Sequence, residues 1–147
     1  MNRDQFDFVD IPRLMRQIAD EHELRDGDVL LALVREPGSM QELVCVERLP
    51  ETAYLSDYQD ARDLIYETMR RLPITERDDA GIHFRTLTVL VRRGLTVFGP
   101  YESNWMLAWR YSNHLRDAFS TDVALVTEHG WLDFMSDEAG YEPALVA

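Results

Sequence analysis

The sequence predicts an α+β or α/β fold: one mixed sheet of about five strands with three helices, in the order helix, strand, strand, helix, strand, strand, helix, strand. Three observations carry this. Apolar residues recur at helical spacing in three separate stretches. Between them lie short runs, "VLLALV", "ELVCVERL", "HFRTLTVLV" and "DVALVT", with strand period or unbroken apolar character. The breaks between runs carry the residues that turns require, "RDGD", "EPGS" and "GP".

Taken in order, Asp10 is placed to cap a first helix with Pro12 in its opening turn. Ile11, Leu14, Met15, Ile18 and Ala19 build one apolar face. His22 extends that stripe and reads as a helix-edge side chain. Val29–Val34 is apolar throughout, as in a strand covered on both faces, and pairs with Glu42–Leu49 across the Pro37-Gly38 turn as a hairpin. Ser56 followed by Gln59 matches a capping box for a second helix, with Ala61, Leu64, Ile65, Met69 and Leu72 as its apolar face and Pro73 as its end. His83–Val91 alternates as a strand, and Leu95–Phe98 is expected as another after the Arg93-Gly94 turn. Asp122–Thr127 is the last expected strand. The domain is expected to span residues 1–135, with residues 136–147 an acidic, loose tail.

The stretch "NWMLAWRYSNHLRDAF" (Asn104 to Phe119) is the most distinctive. On a helical wheel, Trp105, Ala108, Trp109, Ser112, Leu115 and Phe119 share one stripe, and Leu107, Tyr111 and Ala118 widen it. The two tryptophans are therefore expected in the core. The opposite arc brings Arg110, His114 and Asp117 together by i, i+4 and i, i+3 steps, a set able to bind an anion or move a proton. An ordinary solvated helix face explains the same set and is favoured. "TEHGW" (Thr127–Trp131) supplies Glu128 and His129 where a strand ends, the second candidate site. There a turn at Gly130, with Trp131 covering the sheet edge, is the plainer account.

The chain has 147 residues and a net charge of −12, and all 15 of its basic residues are arginine. Arginine codons are GC-rich, which points to a high-GC bacterial genome. Without lysine there is no Schiff-base amine and no P-loop lysine. Only residues 80–119 are basic, with five arginines against Glu102 and Asp117. Duplex nucleic acid is therefore disfavoured as a partner. No apolar run approaches the roughly 20 residues that span a bilayer, and the acidic N-terminal stretch has no signal-peptide core, so a cytoplasmic location is expected. The one cysteine, Cys45, fits a reducing compartment and reads as an inert core thiol. HExxH, HxH, CxxC, GxSxG and Gly-rich phosphate loops are all missing, and the four histidines have no metal-ligand spacing. No metal and no cofactor are expected.

Two resemblances bear on function. "WRYSNH" and "TEHGW" resemble segments of small uncharacterised proteins of high-GC, actinomycete-type genomes, over the C-terminal third, and imply no activity. The element order, a leading helix, a hairpin, then strand, helix and strand, resembles the JAB/MPN metalloprotease and RadC-like fold. That family's zinc motif pairs two histidines one residue apart with a downstream aspartate, whereas "LVRRGLTVFGPYES" stands in the corresponding place. The resemblance thus implies the fold without its metal chemistry. The resulting expectation is a non-catalytic protein-interaction or regulatory module, binding a protein partner or itself. A hydrolase or proton-transfer enzyme using His114 and His129, with Arg110, Asp117 and Glu128, is the alternative, and an acidic nucleic-acid mimic is the third.

Overall fold

The computed structural model describes residues 7–73, 83–113 and 121–146. Three helices, α1 (Ile11–Glu21), α2 (Gln59–Arg71) and α3 (Pro100–Asn113), enclose a sheet of β1 (Val29–Arg35), β2 (Glu42–Arg48), β3 (Phe84–Val91), β4 (Thr121–Thr127), β5 (Gly130–Asp133) and β6 (Ala139–Gly140). The strand order is β2-β1-β3-β4-β5-β6. Only β3 and β4 pair in parallel, with α3 in the connection between them; every other neighbour is antiparallel. This is the α+β class with a mixed sheet, of six strands rather than about five.

The apolar pattern explains the layers. α1 lays Ile11, Leu14, Met15 and Ile18 on one face of the sheet, against Leu30, Ala32 and Val34 of β1 and the odd-numbered residues Leu87, Val89 and Val91 of β3. Each buried Leu, Ile, Val or Met among these contributes roughly 1.5–3 kcal/mol. α2 and α3 cover the other face, packing Ile65, Met69, Trp105 and Trp109 against Val29, Leu31 and Leu33. With helices on both sides, β1 has no face left for polar residues, hence its unbroken run. Asp10 caps α1 as expected, its carboxylate accepting the Arg13 N–H at 3.1 Å. At the sheet edge, β2 carries a bulge: Leu33 pairs with Cys45 and Val34 with Leu43, leaving Val44 between.

Four local expectations change. The Ser56/Gln59 capping box does not form; α2 starts at Gln59, whose N–H is accepted by Asp57 at 3.0 Å. Leu95–Phe98 is a loop, its carbonyls drawn to the Arg92 side chain instead of a neighbouring strand. α3 begins at Pro100, and residues 114–120 lie outside the described set. On α3 the inner stripe is Glu102, Trp105, Ala108, Trp109 and Ser112, while Tyr111 is exposed and stacks on Tyr58 at 5.1 Å.

The expected loose tail from Ser136 is instead laid against the sheet. Ala139–Gly140 forms β6, and the Glu142 carbonyl accepts the Trp131 indole N–H at 2.9 Å. Leu145 is buried in the α1-side core, its N–H bonded to the Thr127 carbonyl, and the Val146 N–H reaches Leu24. Trp131, expected over the sheet edge, is likewise in that core. Gly130 makes this crossing passable: its φ is +128°, and a Cβ there would lie 2.1 Å from the Gly140 carbonyl oxygen.

Candidate functional site

Strand alternation on the α1 side of the sheet places Arg85 in line with Leu87 and Val89, Asp122 with Ala124 and Val126, and Asp133 with Trp131. Across the ladder, Leu87 sits opposite Asp122 and Ala124 opposite Asp133. Three ionisable side chains thus interrupt one end of an apolar layer, just beyond the first turn of α1. Arg85, Asp122 and Asp133 are only 3%, 1% and 0% exposed. They line a cavity of about 370 Å³ together with Phe8, Val9 and Met135. The Arg85 guanidinium lies 5.1 Å from the centre of the Phe8 ring and 3.6 Å from the Asp7 carboxylate.

The two aspartates are held by separate sets of donors. Asp122 Oδ1 accepts the Val123 and Met135 N–H groups at 2.7 and 3.2 Å. Asp133 Oδ2 accepts the Ser136 N–H and hydroxyl at 3.0 and 2.7 Å. Asp133 Oδ1 is buried with no hydrogen-bond partner among the described residues. Burial pushes the Asp122 carboxyl up to about 8, with the hydrogen bond to Asp133 and that group's charge adding to it; Arg85 and the Val123 N–H oppose the rise.

A pH prediction follows, with a definite sign. The carboxyl titrates near 8 in the folded chain and near its ordinary value of about 3.9 in the unfolded one, so the native state binds the extra proton between those limits. Its stabilising contribution is full below about pH 4 and is lost as pH rises through about 8. In Asp122→Asn the amide N–H₂ takes the place of the O–H, and nothing titrates. Urea unfolding of both proteins from pH 5 to pH 8 is expected to show the parent losing ground to the variant, by at most about 1.4 kcal/mol per pH unit. Parallel pH profiles would refute the raised Asp122 carboxyl.

The residues singled out in the sequence are spread over other places. Arg110 is exposed on α3, at the rim of a smaller apolar hollow of about 210 Å³ lined by Met106, Trp109, Thr121, Phe134 and Met135. The buried Trp109 Nε1 has no hydrogen-bond partner among the described residues. His114 and Asp117 fall outside the described residues. Glu128 and His129 are exposed in the β4–β5 turn, where the Glu128 carboxylate accepts the Gly94 N–H at 2.9 Å. Its own backbone N–H and that of Gly94 hold Glu128 below the usual carboxylate range. Arg110 borders Thr121, the start of β4, while His129 follows the end of that strand, so they are separated by roughly 20 Å. Among the described residues, no three His, Cys, Asp or Glu side chains are grouped to hold a metal. Cys45 is half-buried in β2, and burial, then Glu47 and Glu21, push its thiol up, away from the reactive thiolate.

The carboxyl ends of the parallel pair, where open α/β sheets often bind ligands, are occupied by the protein itself. Arg92 follows β3 and gives Nε and Nη2 to Glu102 at 2.8 and 2.9 Å. Its Nη1 serves the Arg93 and Leu95 carbonyls, and Nη2 also serves Val97. All five guanidinium N–H groups are used, so this arginine fastens the 92–99 loop and has nothing to offer an anion. At the other end of the sheet, Arg85 and Asp122 were readable as inward-facing from period-two phase, because each stands two residues from a core apolar residue on the same strand face, whereas Asp133 was not, β5 being too short to show a period.

No helix among the described residues is long and apolar enough to cross a membrane. No family model matches the chain, and neither any curated protein nor any solved structure matches it, so the Arg85–Asp122–Asp133 cavity has to be interpreted from its own chemistry.

Proposed function

We propose that the chain is a non-catalytic regulatory module that senses a small organic ligand in the Arg85–Asp122–Asp133 cavity and passes its occupancy to a protein partner. One observation carries the reading: three charged-type side chains, all nearly inaccessible, line a cavity in an otherwise apolar sheet face. Burying such groups is costly, and a cavity of this size falls in the range of small-molecule sites, about 300–1,000 Å³. The route outward is short. Met135 borders both this cavity and the apolar hollow beside Trp109, where Phe134 is exposed as well. The Met135 N–H is held by Asp122, so a ligand that re-employs Asp122 acts on the turn that presents Phe134 and Met135.

Protein partnership rests on that exposed apolar pair. An acid–base enzyme is the second reading, favoured by the buried Asp122 carboxyl, pushed up to about 8, in the cavity that Asp133 also lines. It would use Asp122 and Asp133 in place of the histidines. Kinship with the JAB/MPN and RadC-like fold stays a proposal from element order, and it would bring no zinc chemistry because the histidine pair is missing.

The test is a thermal-shift screen with small ammonium, carboxylate and neutral compounds, on the parent and Arg85→Met. A ligand at 100 times its Kd adds about 2.7 kcal/mol, enough to move Tm by several degrees. At least one class is expected to raise Tm in the parent and not in the variant. Silence across all three classes would overturn the reading.

A further inference from the structure

We infer that the apolar hollow beside α3 is a separate binding site, for a small monocarboxylate with an aryl or branched aliphatic body. Its β4 residues, Thr121 and Val123, face the α2/α3 side of the sheet, opposite the Arg85 cavity. Nothing in the assignment depends on Arg85, Asp122 or Asp133.

Hydrogen bonding accounts for the place. All three tryptophans are buried, and two have their indole N–H satisfied: Trp105 by the Thr52 carbonyl at 3.3 Å, Trp131 by the Glu142 carbonyl at 2.9 Å. Trp109 lines the hollow, and its Nε1 has no acceptor among the described residues. A buried indole N–H ordinarily finds a partner, and leaving it unmet costs the full desolvation of the group. Next to Thr121 and Val123, in parallel register on the same sheet face, stand Thr86 and Thr88 of β3. Their buried hydroxyls are likewise unpartnered among the described residues, one strand spacing of about 4.8 Å from the wall of the hollow. The uncommitted polar groups gathered here can all donate.

Charge accounts for the sign. Arg110 lines the same hollow from the exposed side of α3 and makes no ion pair among the described residues. No Asp or Glu stands among the lining residues, and the one acid of α3, Glu102, is committed to Arg92 and the Gly99 N–H. A carboxylate, ionised at neutral pH, takes the Trp109 N–H and the Arg110 guanidinium as charge-assisted donors. An ammonium group would meet Arg110 with no opposing charge on the wall. Met106, Val123, Phe134 and Met135 supply apolar contact for the body. At about 210 Å³ the hollow is below the roughly 300–1,000 Å³ of ordinary ligand pockets, which limits that body to one ring or a short branch.

The experiment is nitrogen–proton correlation NMR and titration calorimetry of the full chain with benzoate, with benzyl alcohol and benzylammonium as controls, near neutral pH. The three tryptophans give three indole N–H resonances, and Trp109→Phe assigns one of them. Benzoate is expected to move that resonance and to leave those of Trp105 and Trp131, which keep their carbonyls. Arg110→Gln, an exposed substitution, should weaken benzoate at least about tenfold, as should replacing benzoate by benzyl alcohol. The same change at exposed Arg16, on α1, controls for net charge and should leave binding as it is. No benzoate binding at millimolar concentration would overturn the inference, as would benzyl alcohol or benzylammonium binding as tightly as benzoate. If Arg85→Met abolishes benzoate binding while Arg110→Gln preserves it, the acid occupies the other cavity and this assignment falls. Should Trp109→Phe fail to fold, the parent spectrum still decides: one indole resonance moving supports the site, and none or all three moving overturns it.

Discussion

Replacing Glu102 with alanine is expected to lower the unfolding free energy by about 3–5 kcal/mol, because it strands the largely enclosed Arg92 guanidinium, only 12% exposed. Glu102 is fully buried, and its two oxygens hold Arg92 from both sides. It is also the third residue of α3, and its Oε1 reaches back to the Gly99 N–H at 2.7 Å, closing the helix start as the glutamate of a capping box does. The alanine variant loses the cap and leaves Arg92 with carbonyls but no counter-charge. The paired variant Arg92→Met/Glu102→Leu should recover a large part of the loss, since neither partner is then left alone. Equilibrium urea unfolding of the single and double variants measures this. A single variant within 1 kcal/mol of the parent would mean that the ion pair is not buried.

Trp105→Ala is expected to cost a similar amount, about 3–5 kcal/mol, through the cavity it opens between α3 and β1. Trp105 has no exposed surface, and its indole N–H reaches the Thr52 carbonyl at 3.3 Å, tying α3 to the segment that follows β2. Two links are lost together, core volume and a long-range hydrogen bond. Tyr111→Ala, on the same helix but exposed, should cost less than about 1 kcal/mol. Urea unfolding distinguishes them; equal losses would mean that the helix is turned about its axis.

Much of this fold was legible because it depends on periodicity. Trp105, Ala108, Trp109 and Ser112 share a helical stripe and are all buried, and β1 shows in its apolar run that both faces are covered. The stripe extends one turn earlier to Glu102, but a charged residue there looks like a solvated one until its arginine, ten residues back, is placed beside it. β5 and β6 escaped because four and two residues are too few to show a period. The candidate site was legible only in part. Arg85 and Asp122 are in phase with core residues, which marks them as inward-facing. That they meet is decided by the register of β3, β4 and β5, which composition and spacing do not contain. The histidines drew attention by type alone, and His129 stands at the far end of β4 from the cavity.

The position of β1 between β2 and β3 has a consequence for the order of events in folding. Its pairing with β2 is a local hairpin and can form within microseconds. Its other edge must wait for β3, which follows α2 much later in the chain. Until then Val29–Val34, buried on every side in the finished sheet, presents an open apolar strand edge to any other chain that passes. The bulge at Val44 distorts the outer edge of β2, but that is the wrong edge to help here. Losses to aggregation should therefore be set by the race between β3 docking and chain collision, and concentration during refolding would matter more than equilibrium stability.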